Sequence, residues 1–144
     1  MNTGLTNGTT YYYRITAVDS VGNESGFSNE KSAVPNAGPT ASVQTVTLDE
    51  DTEVTITLTG TDTDDDNLIF TIVTLPANGT LYQTADDATT GDEIFSANTL
   101  VTNAFGKVIY VPAANGHGDG YGNFTFKAND GYIDSDSATV TVNA

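Results

Sequence analysis

Acidic side chains crowd one short stretch of the sequence, where four aspartates fall within residues 62–66. Carboxylates held so close repel one another, and a divalent cation relieves that repulsion as it binds. Ca²⁺ takes roughly six to eight hard oxygen ligands, which often come from several loops. In a β-sandwich, Asn36, Asp130 and Asp134 would reach the same end of the molecule. The pattern favours a calcium site, and the alternative is an acidic turn that only keeps the protein soluble.

Other kinds of site find little support in the residues. An EF-hand starting at Asp62 is excluded because its sixth position is Asn67 and its twelfth is Val73, where a glycine and a glutamate are needed. The single histidine, His117, lies in a glycine-rich loop without matching ligands, so we expect it to be exposed or hydrogen-bonded to backbone. Serine and threonine hydroxyls have no activating base, and the sequence contains no cysteine. We therefore expect that this protein is not an enzyme.

The charge balance narrows the choice of partners. Nineteen acidic residues stand against four basic ones, giving a formal net charge of −15 over 144 residues. Such a surface repels nucleic acid and anionic lipid, whereas cations are its natural partners. The longest apolar runs, such as residues 108–111, are too short to insert into a membrane. We predict no nucleic-acid partner and no membrane insertion.

Hydrophobic alternation with period two recurs along the chain, and no stretch shows helical spacing. Turn-forming residues separate the alternating stretches at regular intervals, which is typical of a sandwich. The pattern predicts an all-β fold, a seven- to eight-strand Greek-key β-sandwich preceded by a β-hairpin. Its predicted strands span residues 42–48, 53–59, 67–74 with 79–83, 94–101, 106–111, 122–129 and 133–143. Its predicted core consists of Val54, Ile56, Leu58, Leu68, Phe70, Ile72, Val108, Tyr110, Phe124, Phe126, Ala128, Ala138, Val140 and Val142.

The chain is expected to have three parts, a hairpin at residues 1–35, a linker at 36–39 and a sandwich at 40–144. Two prolines and a glycine fall within residues 34–39 and mark this linker, because they deny ladder hydrogen bonds and stiffen the join. The larger part is long enough to bury its own core, and the hairpin is not. We expect either an excerpt of a longer chain or a subunit that a neighbouring copy completes by strand addition. The predicted assembly face consists of Tyr11, Tyr13, Ile15 and Ala17.

The hairpin carries one family resemblance. Leu5 and Tyr11, followed by the alternating Tyr13, Ile15 and Ala17 and by a Gly-Asn-Glu-Ser turn at residues 22–25, resemble the last two strands of a fibronectin type III domain. The resemblance implies a tyrosine corner formed by Leu5 and Tyr11, in which the Tyr11 hydroxyl bonds to nearby backbone.

The remainder of the chain resembles the cadherin-like, immunoglobulin-fold repeats of bacterial surface proteins and adhesins. The resemblance rests on the order of short motifs, among them Thr-Asp-Thr-Asp-Asp-Asp at 61–66, Pro-Ala-Asn-Gly at 76–79, Tyr-Val-Pro at 110–112 and Asn-Asp-Gly at 129–131. It implies calcium at an inter-domain junction, with Asp62 and Asp64 as the first ligands. Asp66, Asn36 and Asp130 are the second choices.

These observations predict a non-catalytic extracellular or cell-surface module for spacing, adhesion or assembly, with calcium rigidifying its junction. Its partners would be neighbouring domains or copies of itself, and a cell-surface glycan or protein is a further candidate. One alternative is a self-assembling filament subunit that exchanges its hairpin. Another is a carbohydrate-binding module of a secreted polysaccharide-degrading protein, with Tyr82, Tyr121 and Tyr132 stacking on sugar rings.

Overall fold

A computed structural model describes residues 3–144, and every regular element in that range is a β-strand. The chain separates into two compact units, and the division falls between Ala37 and Gly38, within the predicted linker. Across the described residues no helix is long and apolar enough to cross a membrane.

The N-terminal unit is built on a two-stranded antiparallel hairpin. Its strands are β1 (Tyr11–Tyr13) and β2 (Lys31–Ala33), and Tyr12 pairs with Ser32 at the centre of their register. Beyond the ladder two serine hydroxyls replace backbone acceptors, because Ser28 Oγ accepts from Ile15 N at 3.1 Å and Ser25 Oγ accepts from Ala17 N at 2.9 Å.

The Tyr11 hydroxyl fastens the start of this hairpin to the segment before it. Its oxygen accepts a hydrogen bond from Thr6 N at 2.8 Å, which is the contact expected of a tyrosine corner. Because this bond favours the charged form, it lowers the pKa of the Tyr11 hydroxyl.

The N-terminal unit has no core of its own among its described residues. None of residues 3–37 is buried, and Ile15 of the predicted assembly face is 73% exposed. On the same face Tyr11 and Tyr13 are half-buried, while Ala17 is exposed. The hairpin is therefore ordered by hydrogen bonds and turns rather than by apolar burial.

The second unit is a β-sandwich. A five-stranded sheet has the order β4-β12-β11-β7-β9, a three-stranded sheet has the order β5-β10-β8, and β3 pairs with β6. The strands are β3 (Thr40–Ala41), β4 (Gln44–Thr47), β5 (Val54–Thr57), β6 (Gly60–Thr61), β7 (Ile69–Thr74), β8 (Thr80–Gln83), β9 (Thr99–Leu100), β10 (Lys107–Val111), β11 (Phe124–Asn129) and β12 (Ala138–Asn143).

The first two strands of the sandwich are each interrupted. Antiparallel pairing joins β3 to β6, whereas β4 lies parallel to β12, so the first strand passes from one partner to another near Val43. Glycine is required at position 60, because a Cβ there would lie 2.8 Å from Thr40 O across the β3–β6 pair. Counting β3 with β4 and β5 with β6, the chain follows an eight-strand path, as the alternation predicted.

Apolar side chains from both sheets meet in one core. The predicted core residues lie in it, with Val54 and Leu68 only partly buried against the rest. Phe70 and Phe126 pack edge to face, with ring centroids 5.9 Å apart. Three residues of this core between the sheets were missing from the prediction, because they lie in short or irregular segments. They are Leu81, Ile94 and Val101.

Residues 84–91, here named the strap, cross the outer face of the three-stranded sheet. Ile109 faces outward between two inward residues of β10, yet it is only 1% exposed. The strap covers it, since Thr55, the cross-strand partner of Ile109, donates through Oγ1 to Asp87 O at 2.8 Å. Lys107 Nζ donates to Asp87 Oδ2 at 2.5 Å, and Asn103 Nδ2 donates to Asp87 Oδ1 at 3.0 Å. Alternation alone gives no sign that this outer face is covered.

A buried tyrosine explains part of the glycine-rich loop before β11. Tyr110 donates its hydroxyl proton to Asn78 O at 2.8 Å, and burial, followed by the charge of Tyr121, raises its pKa to about 12. A Cβ at either Gly79 or Gly122 would overlap that hydroxyl. The two glycines therefore form the walls of a slot for Tyr110.

A substitution in the slot tests this packing. Gly122→Ala is expected to lower the free energy of unfolding by about 1–3 kcal/mol, because the added methyl group overlaps the Tyr110 hydroxyl. In a Tyr110→Phe background the same change should cost less, because the overlapping oxygen is gone. Urea unfolding of the two single variants and the double variant measures this coupling, and equal costs in both backgrounds would contradict it.

Acid unfolding tests how the strap is held. Asp86 accepts hydrogen bonds from Thr89 Oγ1 at 2.8 Å, Thr89 N at 2.7 Å and Ala88 N at 3.1 Å, which lower its pKa from 3.8 to about 2. Its charged form therefore stabilises the folded state above about pH 4, and this contribution is lost as the pH falls towards 2. The difference in unfolding midpoint between the native protein and Asp86→Ala should narrow across that range. Thr89→Ala removes the hydrogen bond that lowers the pKa of Asp86 most, so its difference from the native protein should narrow in the same way but by less. A difference that stays constant with pH would exclude this role of the Asp86 charge.

Candidate cation site

Three aspartates converge at one end of the sandwich. Asp62, Asp64 and Asp66 each present a carboxylate oxygen, and these oxygens lie within 4.8 Å of one another. All three side chains are half-buried. Among residues 3–144 no other group of three histidine, aspartate or glutamate side chains meets in this way.

The loop between β6 and β7 positions these side chains. Asp62 follows β6 directly, and its Oδ1 accepts from Asp64 N at 2.7 Å and from Asp66 N at 3.5 Å. The chain then reverses through Asp65, whose φ of 59° lies in the left-handed region that aspartate tolerates. One oxygen of Asp62 thus holds the loop, and the alternate aspartates point to a common centre.

The remaining oxygen of Asp62 carries the strongest indication of a ligand. Asp62 Oδ2 is shielded from solvent and receives no hydrogen bond from the described residues. A buried carboxylate oxygen without a donor is costly, and a bound cation would remove that cost. The donor set, composed of hard oxygens, fits Ca²⁺ better than a softer metal.

The local electrostatics agree with a missing positive charge. Burial raises the pKa of Asp66, and the charges of Asp62, Asp130 and Asp64 raise it further. No basic side chain is among the causes of this shift. The Asp66 carboxylate therefore resists ionisation until a positive charge comes close to it.

Asp130 stands beside this cluster from the turn after β11. It is only 6% exposed, and its Oδ1 accepts from Tyr132 N and Ile133 N, each at 2.7 Å. Asp130 thus shapes its own turn and adds negative charge near Asp66. Asp134, in contrast, accepts from Lys127 Nζ at 2.6 Å and from Asn129 Nδ2 at 2.7 Å, so it is already neutralised.

Asn36 belongs to the N-terminal unit, where its Nδ2 donates to Ala37 O at 3.1 Å. Its part in a cation site stays a prediction.

An open groove of about 560 Å³ runs beside the cluster. Asp62, Asp65 and Asp66 line one part of it, and Leu58 and Phe105 line another. Phe105 is 73% exposed at this site. The sequence carried no sign of this neighbourhood, because Phe105 is about forty positions from the aspartates and approaches them only through the fold.

The other polar candidates have structural roles. His117 is exposed, and its Nδ1 lies 3.1 Å from Asn115 O. Asp51, in the turn after β4, accepts from Asn115 N at 2.7 Å through Oδ1. The first observation agrees with the expectation that His117 is exposed or hydrogen-bonded to backbone.

The three tyrosines proposed to bind sugar lie on separate elements. Tyr82 is on β8, Tyr121 precedes β11, and Tyr132 is 80% exposed in the turn after β11. Tyr121 accepts from Asn78 Nδ2 through its carbonyl oxygen at 2.8 Å. Carbohydrate binding therefore stays a prediction.

Comparison with known proteins agrees with the sandwich. Residues 37–144 match the family model described as SibA-like, immunoglobulin-like domain, which covers three quarters of the chain. A search of the curated proteins found no significant match. The predicted immunoglobulin-like fold is confirmed, and the narrower cadherin-like and fibronectin type III resemblances stay predictions. The chain belongs to the SibA-like immunoglobulin-like domain family.

Proposed function

We propose that this protein is a non-catalytic structural or adhesion module that binds Ca²⁺ through Asp62, Asp64 and Asp66. An immunoglobulin-like domain is consistent with a structural or adhesion role, and such domains are typically non-catalytic. The calcium part rests on Asp62 Oδ2, which is shielded from solvent and accepts no hydrogen bond from the described residues. This oxygen belongs to a cluster whose carboxylate oxygens lie within 4.8 Å of one another.

The proposal extends to the setting in which the module works. Extracellular modules bind Ca²⁺ with dissociation constants of about 10⁻⁴–10⁻³ M, which suits a weak, partly exposed carboxylate site. A secreted or cell-surface location would supply calcium in that range. On the sequence-based expectation that Asn36 adds a ligand, the ion would also stiffen the junction between neighbouring domains.

Calcium should stabilise the folded protein. At ten times the dissociation constant the gain is about 1.4 kcal/mol, because the ion binds the folded state alone. Thermal unfolding in millimolar CaCl₂, in EDTA and in NaCl of equal ionic strength separates binding from screening. Asp62→Asn with Asp64→Asn should abolish the calcium response, whereas Glu50→Gln with Asp92→Asn removes the same charge elsewhere and should preserve it. A response that survives the first pair would show that the site is wrong.

Substitution of Asp66 is expected to have opposite effects on stability in EDTA and on the gain in stability from calcium. Asp66→Asn should raise the unfolding temperature in EDTA, because it removes a carboxylate whose ionisation the folded state opposes. The same change should weaken the calcium response, because a ligand is lost. Thermal unfolding with and without calcium measures both effects, and a variant less stable than the native protein in EDTA would contradict the electrostatic argument.

Self-assembly through the hairpin is a second candidate function. It rests on the absence of any buried residue among residues 3–37 and on the 73% exposure of Ile15. This unit is also nearly neutral, since only three of the nineteen acidic residues, Asp19, Glu24 and Glu30, precede residue 38. Like-charge repulsion between copies therefore opposes contact least at this unit.

Particle size tests this second function. Light scattering with negative-stain images is expected to show filaments or larger species whose formation Ile15→Asp suppresses, because a charge is placed on the assembly face. Val43→Asp is the matched control, since Val43 is equally exposed but lies on the sandwich. Monomers throughout, or equal effects of both substitutions, would exclude assembly through the hairpin.

A further inference from the structure

The first and last strands of the sandwich lie side by side. Within the five-stranded sheet β4 pairs with β12 in parallel register, with Gln44 opposite Val140 and Asn143 opposite Thr47. The chain enters this pair from Gly38 at one end and leaves it at Ala144 at the other. One further bond continues the contact, since Leu48 N donates to Asn143 O at 3.0 Å.

The parallel pairing of β4 with β12 determines how the sandwich responds to a pulling force applied along the chain. A force on the N-terminal side draws β4 backwards along its own axis, and a force beyond Ala144 draws β12 in the opposite direction. The two parallel strands are then sheared, and all the hydrogen bonds between them are stretched together. Pulling from the same end of both strands would instead break those bonds one after another.

We infer that the β4–β12 ladder is a mechanical clamp, which makes this domain resistant to unfolding when it is pulled through its two ends. The two-residue pairing of β3 with β6 is shorter and gives way before it. This inference goes beyond the proposed function and does not depend on calcium. It implies that the sandwich can transmit tension between whatever is attached on its two sides.

The pulling direction can be changed while the protein stays the same. The chain contains no cysteine, so Glu50→Cys provides a unique attachment point in an exposed turn. Glu50 and Ala144 line the same surface depression, which places them at one end of the β4–β12 pair. Handles at residues 1 and 144 shear the ladder, and handles at residues 50 and 144 peel it.

Single-molecule force spectroscopy on Glu50→Cys in both geometries, in EDTA and in Ca²⁺, tests the inference. We expect a severalfold higher unfolding force for the sheared geometry in both solutions. The released length identifies the sandwich. With handles at residues 1 and 144, residues 38–144 extend to roughly 35–39 nm, and with handles at residues 50 and 144, residues 50–144 extend to roughly 31–34 nm. Equal forces in the two geometries, or a difference that appears only with calcium, would overturn the clamp.

A proline in β4 provides the matched variant. Because Leu48 N faces β12, the period of two places Val46 N on the same side and Thr45 N on the open edge. Val46→Pro should lower the force in the sheared geometry alone, and Thr45→Pro should leave it nearly unchanged. Equal losses in both geometries for Val46→Pro would indicate general destabilisation and contradict the clamp. If Val46→Pro fails to fold, the comparison of unfolding forces in the two pulling directions still tests the clamp.

Discussion

Apolar contact between the two sheets is the interaction on which the rest of the sandwich depends. Ile72, Val108 and Phe126 are fully buried between them, and each comes from a different strand. Residues that alternate along a strand reach this core only in one register, so the packing also fixes which residues begin each loop. Asp62 directly follows β6, and Asp66 lies three positions before the start of β7, so that register also sets where the loop between them begins and ends.

The two units illustrate different ways of ordering a β-hairpin. In the sandwich, β11 and β12 are held by burial, and their polar turns only close the connection. In the N-terminal unit, the Tyr11 hydroxyl and two serine hydroxyls supply hydrogen bonds where burial is lacking. Hydrogen bonds exposed to water contribute little net stability, so the order of this unit rests on weaker contributions than the apolar burial that holds the sandwich.

Alternation predicted most of the fold because each sandwich strand buries one face. Phe124, Phe126 and Ala128 show the pattern directly, and the aspartate cluster follows from four acidic residues in five positions. Alternation could not show that Ile109 is covered, because the strap reaches it from another part of the chain. Nor could it place Phe105 beside the aspartates or reveal that Asp62 Oδ2 has no donor among residues 3–144, since both depend on tertiary contacts.

The strap changes what the outer face of the three-stranded sheet presents to another molecule. An uncovered β-sheet face with a residue such as Ile109 at its centre invites stacking against the sheet of another molecule. The strap covers that face and carries the exposed carboxylate of Asp86 across it, so an approaching sheet meets a charge instead of an isoleucine. A loop that adds no strand to the fold thus removes an apolar sheet face from the surface of the domain.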